Sequence, residues 1–319
     1  MILLITSILA ITISAGASLL YATLGEIHTE RSGILNLGVE GMMLMGALAA
    51  FATAYYTQNL MLALLAAMIV GGLTASLHAF LTITMQANQV VSGLGITLFG
   101  AGLSSYLGQQ LGPASNNGYL FGLIGPKFTP IKIPVLGDIP IISAFFNQDI
   151  LIYFLYILVP LAWFYIYKTR NGINLRAIGQ NPNTAAAMGI NVNKERYLYT
   201  ILGGVLVGIG GAHLSLAYTP GWTENITGGR GWIVIALVIF AMWNPARAVI
   251  GAILFGGINA VQFRLQAAGT TIPASFLNML PYLVTILVLV LITVSGKKGK
   301  KKHVGPPAAL GKTFIREDK

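Results

Sequence analysis

The chain has 319 residues, of which 55% are hydrophobic and only 9% are charged. Soluble globular proteins carry about 25% charged residues, so this composition excludes a soluble protein. The net charge of +10 lies in basic groups beside apolar runs, which argues against nucleic acid as a partner and for membrane lipid. The absence of cysteine excludes disulfides, thiolate metal sites and cysteine nucleophiles.

Apolar runs long enough to cross a bilayer, which takes about 20 residues, follow one another along the chain. The predicted spans are residues 2–24, 38–57, 60–85, 89–108, 150–167, 198–219, 247–266 and 277–295. A further apolar run, 231–243, is short, which predicts a shallow span or half of a broken one. The predicted fold is an all-α polytopic transmembrane helical bundle of about 8–10 spans, with a broken or re-entrant segment.

Ionisable residues and glycines interrupt the apolar pattern between the first two spans, and residues 25–37 are predicted as a loop or a re-entrant segment. Asn36 and Glu40 lie four positions apart, on one face of any helix that begins there. Glu40 is either a charge favoured by a helix N-terminus or part of a polar pathway, since ionisable groups at membrane depth usually face a cavity. We favour the pathway for both residues.

A polar stretch at the start of the fourth span contributes further candidates for the substrate pathway, namely Asn88, Gln89 and Ser92. Hydrogen bonds between helices and hydrogen bonds to a polar, uncharged substrate explain them equally well. Residues 223–231 resemble the first interruption in composition. Interrupted segments at corresponding places in two halves indicate a transport pathway, and an internal repeat stays open.

Two basic segments predict the orientation of the chain. The 168–197 loop and the 296–319 tail are rich in lysine and arginine, which is typical of the cytoplasmic side. The proline-rich segment 109–149, with balanced charge, is then an external loop. We therefore predict a multi-pass plasma-membrane protein with a transmembrane domain over residues 1–295 and a cytoplasmic C-terminus.

Several motifs are interpreted as structural. Gly204, Gly208 and Ala212 have the small-residue spacing of close helix packing, and His213 is expected to be hydrogen-bonded inside the bundle. No histidines have metal-ligand spacing, so no metal site is predicted. Residues 305–313 resemble a phosphate-binding loop but have five residues between the glycines where four are required. We predict no catalytic residues, no enzyme activity and no ATP hydrolysis by this chain.

The basic 168–197 loop contains the most informative motif. Pro182 suits the first position of a short helix capped by Asn181, and Gly189 suits its C-terminal stop. We expect a helix without a core of its own, whose small residues dock into a groove of a cytosolic partner. The candidate residues for coupling this chain to the cytosolic partner are Arg176, Gly179, Asn181, Pro182, Ala185, Ala186 and Gly189.

Two stretches, 30–44 and 176–190, are similar to permease subunits of bacterial ABC importers for branched-chain amino acids, simple sugars and nucleosides. The similarity extends from about residue 15 to 295. The first stretch most resembles nucleoside or simple-sugar permeases. The family resemblance implies import of a small polar solute, with residues 176–190 as the coupling loop.

The same resemblance implies a set of partners. These are a cytosolic ABC ATPase subunit, a second permease chain (the same or different) and an extracytoplasmic substrate-binding lipoprotein. ATP would be used by the ATPase partner, and no cofactor is bound by this chain. A branched-chain amino acid permease is the alternative, and a stand-alone secondary transporter is less favoured because carboxylates are scarce within the spans.

Overall fold

The computed structural model describes residues 2–267, 269, 273, 276–277, 279–287, 290 and 305–314. Its helices are α1 (Ile2–Arg31), α2 (Val39–Thr57), α3 (Leu60–Ala79), α4 (Gln89–Gly108), α5 (Ser143–Phe146), α6 (Ile150–Lys168), α7 (Arg170–Gln180), α8 (Pro182–Ala187), α9 (Val192–His213), α10 (Arg230–Phe240) and α11 (Pro245–Ala267). Single π-helical turns extend α3 over Phe80–Thr84 and α9 over Leu214–Tyr218.

The predicted all-α membrane bundle is confirmed. Within the described ranges, seven helices are long and apolar enough to cross a membrane, namely α1, α2, α3 with its π turn, α4, α6, α9 with its π turn, and α11. The short run predicted at 231–243 forms α10, an apolar helix of 11 residues. Of the predicted span 277–295, residues 279–287 are helical, and the remainder lies partly outside the described residues.

Two predicted boundaries are wrong, for the same physical reason. Helix α1 continues to Arg31, so residues 25–31 are neither a loop nor re-entrant, and α9 begins at Val192 instead of residue 198. Arg31 and Arg196 are buried, and both donate hydrogen bonds to backbone carbonyl groups of other segments. The apolar length of a span therefore underestimates these helices, because their polar ends are satisfied inside the protein.

Helix α1 crosses α9 in antiparallel fashion at glycines. A Cβ atom on Gly25 would lie 2.4 Å from the carbonyl oxygen of Gly203, and one on Gly210 would lie 2.8 Å from that of Ser18. The predicted packing role of the glycine run is also confirmed, because Gly204 and Gly208 both lie against the backbone of Gly71. Small residues allow such close backbone contact between helices.

The order of a long helix, a break and two further helices occurs twice, in opposite directions, as α1–α2–α3 and as α9–α10–α11. In the first half, α2 and α3 pack on α9, whereas in the second half α10 and α11 pack on α1. Helix α3 is antiparallel to α9, because Gly204 contacts Gly71 whereas Gly208 contacts Ala67. Helix α11 is antiparallel to α1, because Gly256 contacts Thr12 whereas Ala252 contacts Gly16. The helix order and contacts match the arrangement of an inverted repeat, and the internal repeat stays a prediction.

The two ends of the bundle differ in what covers them. Residues 109–149 cover the end at which α9 finishes, where the N–H of Phe128 donates to the carbonyl of Leu216. Their only strands among the described residues are β1 (Ile131–Lys132) and β2 (Asn147–Gln148), which pair antiparallel. Helices α7 and α8 lie at the other end, beside the last residue of α1, and we call this the α8 end.

Candidate functional site: two helix breaks and a coupling segment

The first break, residues 32–38, is held by side chains of α3 and α4. The N–H of Leu35 donates to Oε1 of Gln89 at 2.7 Å, and its carbonyl oxygen lies 3.2 Å from Nε2 of His78. The carbonyl of Leu37 accepts from Oγ1 of Thr97 at 2.8 Å. Non-helical backbone at membrane depth needs such partners, so these side chains make the break possible.

Asn36 ties the end of α1 to the start of α2. Its Nδ2 donates to Oε2 of Glu26 at 3.0 Å, and its Oδ1 accepts from the N–H of Gly38 at 2.9 Å. All three residues are buried. Replacement of Asn36 by an apolar residue would therefore remove a partner from a buried carboxyl group.

Glu40 is where the two breaks meet. Its Oε1 accepts from Oγ1 of Thr227 at 2.5 Å and from the N–H of Gly229 at 2.8 Å, and its Oε2 accepts from the N–H of Gly231 at 2.6 Å. The carboxylate is 5% exposed and lies at the N-terminus of both α2 and α10. Both helix dipoles favour a negative charge at this position.

The second break, residues 219–229, is held by contacts with two further helices, α4 and α1. Ser105 of α4 donates a hydrogen bond to Glu224. At the start of α10, Nη1 of Arg230 donates to the carbonyl of Ala15 at 3.2 Å, and its guanidinium lies 4.9 Å from the ring centre of Tyr218. The two interruptions that resemble each other in sequence thus come into direct contact.

The five predicted pathway residues gather at the first break. Asn36, Glu40, Gln89 and Ser92 are buried and bonded within the chain, Ser92 through a 2.9 Å contact between its Oγ and Nδ1 of His78. Asn88 is exposed and caps α4, accepting from the N–H groups of residues 90 and 91. A pathway role for all five stays a prediction, and the contacts of the four buried residues add a role in holding the break.

The predicted coupling helix is present with the expected ends. Oδ1 of Asn181 accepts from the N–H of Thr184 at 3.1 Å, and Pro182 occupies the first turn of α8. The helix ends at Ala187, and Gly189 follows with a φ of +84°, a left-handed conformation that favours glycine. Arg176, on the preceding helix α7, lies over the ring of Tyr167 at 5.4 Å.

The expectation that this helix has no core of its own is wrong. Ala185 is 3% exposed and packs with Ile178, Val192 and Phe314 of the same chain. Gly179 lies so close to α1 that a Cβ atom would be 2.1 Å from the carbonyl oxygen of Arg31. These two small residues therefore face the bundle, and Ala186 is only half-buried.

The surface that α8 presents outward was not found from the sequence. Met188, at the C-terminal end of the helix, is 79% exposed, and the exposed residues beside it are Asn183, Thr184 and Ala187. The signal in the sequence was this single methionine after a run of alanines.

The model of the family described as "Branched-chain amino acid transport system / permease component" matches residues 7–292. The chain is 36% identical to a nucleoside ABC transporter permease of Lactococcus lactis, over 86% of this chain and 88% of that one. It is 33% identical to a guanosine ABC transporter permease of Bacillus subtilis, over 97% and 99%. A candidate glucose ABC transporter permease of Haloferax volcanii is 38% identical, over 96% of both chains.

Fold and matches together define a multi-pass membrane protein that serves as a transport component. The chain belongs to this permease family of ABC transporters, as the resemblance of residues 30–44 and 176–190 implied.

Proposed function

We propose that this chain is the permease subunit of an importer for a nucleoside or a simple sugar, driven by ATP hydrolysis on a separate subunit. The near full-length similarity to permeases named for nucleosides, guanosine and glucose carries this proposal. Its partners are a cytosolic ATPase, a second permease chain and an extracytoplasmic substrate-binding lipoprotein. Asn36, Glu40, Gln89 and Ser92 shape the pathway by holding the first break, and Asn88 extends it at the exposed start of α4.

Uptake by the complete complex tests the substrate class. The complex is purified with its native partners and placed in proteoliposomes, with ATP inside and the binding lipoprotein outside. We expect these vesicles to take up radiolabelled guanosine or glucose. A complex in which the ATPase cannot hydrolyse ATP serves as the control. Uptake of leucine in place of both would establish the branched-chain amino acid alternative, and uptake without ATP would establish a secondary transporter.

The ATPase docks on the face of α8 that points away from the bundle, and this end of the bundle is cytoplasmic. The basic residues Lys168, Arg170, Arg176 and Lys194 flank α8 in the sequence, which supports that orientation. Arg176, Gly179 and Ala185 hold the segment against the bundle, while Asn181, Pro182 and Gly189 define the helix. Ala186, Ala187 and Met188 then form the contact with the ATPase.

Because the chain has no cysteine, Met188→Cys gives a single reactive site at the tip of this face. In the permease expressed alone, we expect a membrane-impermeant maleimide to label residue 188 only from the cytoplasmic side. In the assembled complex, we expect the ATPase to protect it, because docking covers the side chain. Labelling is measured by a gel shift on intact cells and on inverted vesicles.

Ser115→Cys is the matched control, since Ser115 is exposed within the 109–149 segment at the other end of the bundle. It should react from the outside and to the same extent in both preparations. Labelling of residue 188 from the outside would reverse the orientation. Equal labelling with and without the ATPase would show that α8 is not the docking site.

A further inference from the structure

The segment 305–314, whose sequence resembles a phosphate-binding loop, folds back onto the α8 end of the bundle. The N–H of Ala309 donates to the carbonyl of Gly179 at 2.9 Å, which fastens the segment to α7. The N–H of Gly311 donates to the carbonyl of Gly33 at 3.1 Å, which fastens it to the first break. Gly311 has a φ of +76°, so this glycine serves a tight turn.

Phe314 lies beneath the coupling helix. It is 8% exposed and packs with Ile178 of α7, Ala185 of α8 and Val192 at the start of α9. An aromatic ring buried among three separate helices resists their separation, because each helix would expose apolar surface if it moved away alone. The ring therefore links α8 mechanically to its neighbours.

Arg196 joins the same segment to the break from the other side. Its side chain is 2% exposed, with Nε donating to the carbonyl of Ser32 at 3.2 Å and Nη1 donating to the carbonyl of Lys312 at 3.3 Å. A buried guanidinium is costly unless it is hydrogen-bonded, so both carbonyl groups are held close to it. Residues 305–314 thus contact the coupling segment and the first break at the same time.

We propose that residues 305–314, here called the brace, transmit the movement of α8 to the first helix break. The proposal rests on the proposed function, in which the ATPase moves α8. The path begins where Ala185 of α8 packs on Phe314 and continues along the brace. It reaches the first break through the hydrogen bond of Gly311 to Gly33 and through Arg196, which bonds to both Lys312 and Ser32. Phe314 is a positioning residue in this path, since its buried ring packs beneath α8 and acts through that helix.

Transport per ATP hydrolysed in the complete complex tests the brace. Phe314→Ala should leave assembly and basal ATP hydrolysis intact but lower uptake per ATP by at least about tenfold, which corresponds to about 1.4 kcal/mol. Phe314→Leu should restore most of the coupling, because leucine fills much of the same space. Lys312→Ala is the control, since the Lys312 side chain is exposed and only its backbone carbonyl bonds to Arg196.

A second readout does not depend on transport or on the substrate. Hydrogen exchange of the amides at residues 33–38 should be faster in Phe314→Ala than in Lys312→Ala, both measured in the permease alone. Equal exchange in the two variants, or an unchanged uptake per ATP in Phe314→Ala, would overturn the brace. Failure of the wild-type complex to transport would count against the proposed function instead, and the exchange result would still decide on the brace.

Discussion

Glu40→Leu is expected to yield almost no folded permease, whereas Glu40→Gln should yield a reduced amount. The carboxylate accepts three hydrogen bonds, from Thr227, Gly229 and Gly231, at a buried position. A buried donor left without a partner costs about 1–3 kcal/mol. Three such losses are comparable to the entire stability of many proteins, about 5–15 kcal/mol.

The amide of Glu40→Gln keeps one acceptor oxygen, which can serve Thr227 and Gly229. Its NH2 group would then face the N–H of Gly231, so one hydrogen bond is lost and two donors oppose each other. For both variants, size-exclusion chromatography in detergent measures the yield of folded protein and the temperature at which half of it unfolds. Glu224→Gln is the control, because that side chain is exposed and its amide oxygen can still accept the hydrogen bond of Ser105.

The outcome also separates two interpretations of Glu40. If Glu40→Leu is as stable as the wild type, the carboxylate does not hold the two breaks together. If it is stable and yet transports nothing, a direct pathway role is favoured over the structural one. Loss of the folded protein would show that the fold depends on the junction of α2 and α10 at Glu40.

The second large effect is expected from Gly25→Ala compared with Gly95→Ala. The new methyl group at position 25 would lie 2.4 Å from the carbonyl oxygen of Gly203, so α1 and α9 would have to move apart. Overpacking of this kind costs about 1–3 kcal/mol, and more when the backbone cannot yield. At position 95, no atom of the described residues lies within 4 Å of the added group.

The unfolding temperature of the isolated permease is measured for both variants, which carry the same glycine-to-alanine change. Gly25→Ala should lower the unfolding temperature clearly. Gly95→Ala should leave it unchanged or raise it, because alanine favours a helix over glycine by up to about 1 kcal/mol. Similar midpoints for the two variants would show that the crossing of α1 and α9 tolerates a wider separation than the structure indicates.

Local patterns predicted much of this molecule. The spans follow from runs of about 20 apolar residues, and the ends of α8 follow from Asn181, Pro182 and Gly189. The interruptions at residues 25–37 and 223–231 resemble each other in composition, which leaves a repeat open. Their contact was not predictable, because Glu40 and Thr227 are 187 positions apart and the residues around each do not indicate which distant residue it contacts.

The error at the coupling segment has a similar cause. Ala185 and Gly179 are small, and smallness suits either an exposed docking face or close packing on the same chain. The decision depended on Phe314 and Arg31, which lie far away in sequence. Likewise, nothing local distinguishes Gly25, at a helix crossing, from Gly95, which faces open space.

The sequence by itself determined the membrane class, the family, most of the spans and the short helix α8, because these depend on composition or on residues within one segment. Only the tertiary structure decided that both helix breaks meet at Glu40, which face of α8 is exposed, and that residues 305–314 return beneath that helix. These features depend on pairs of distant segments. Their energies come from burial and hydrogen bonds that exist only after the bundle has closed.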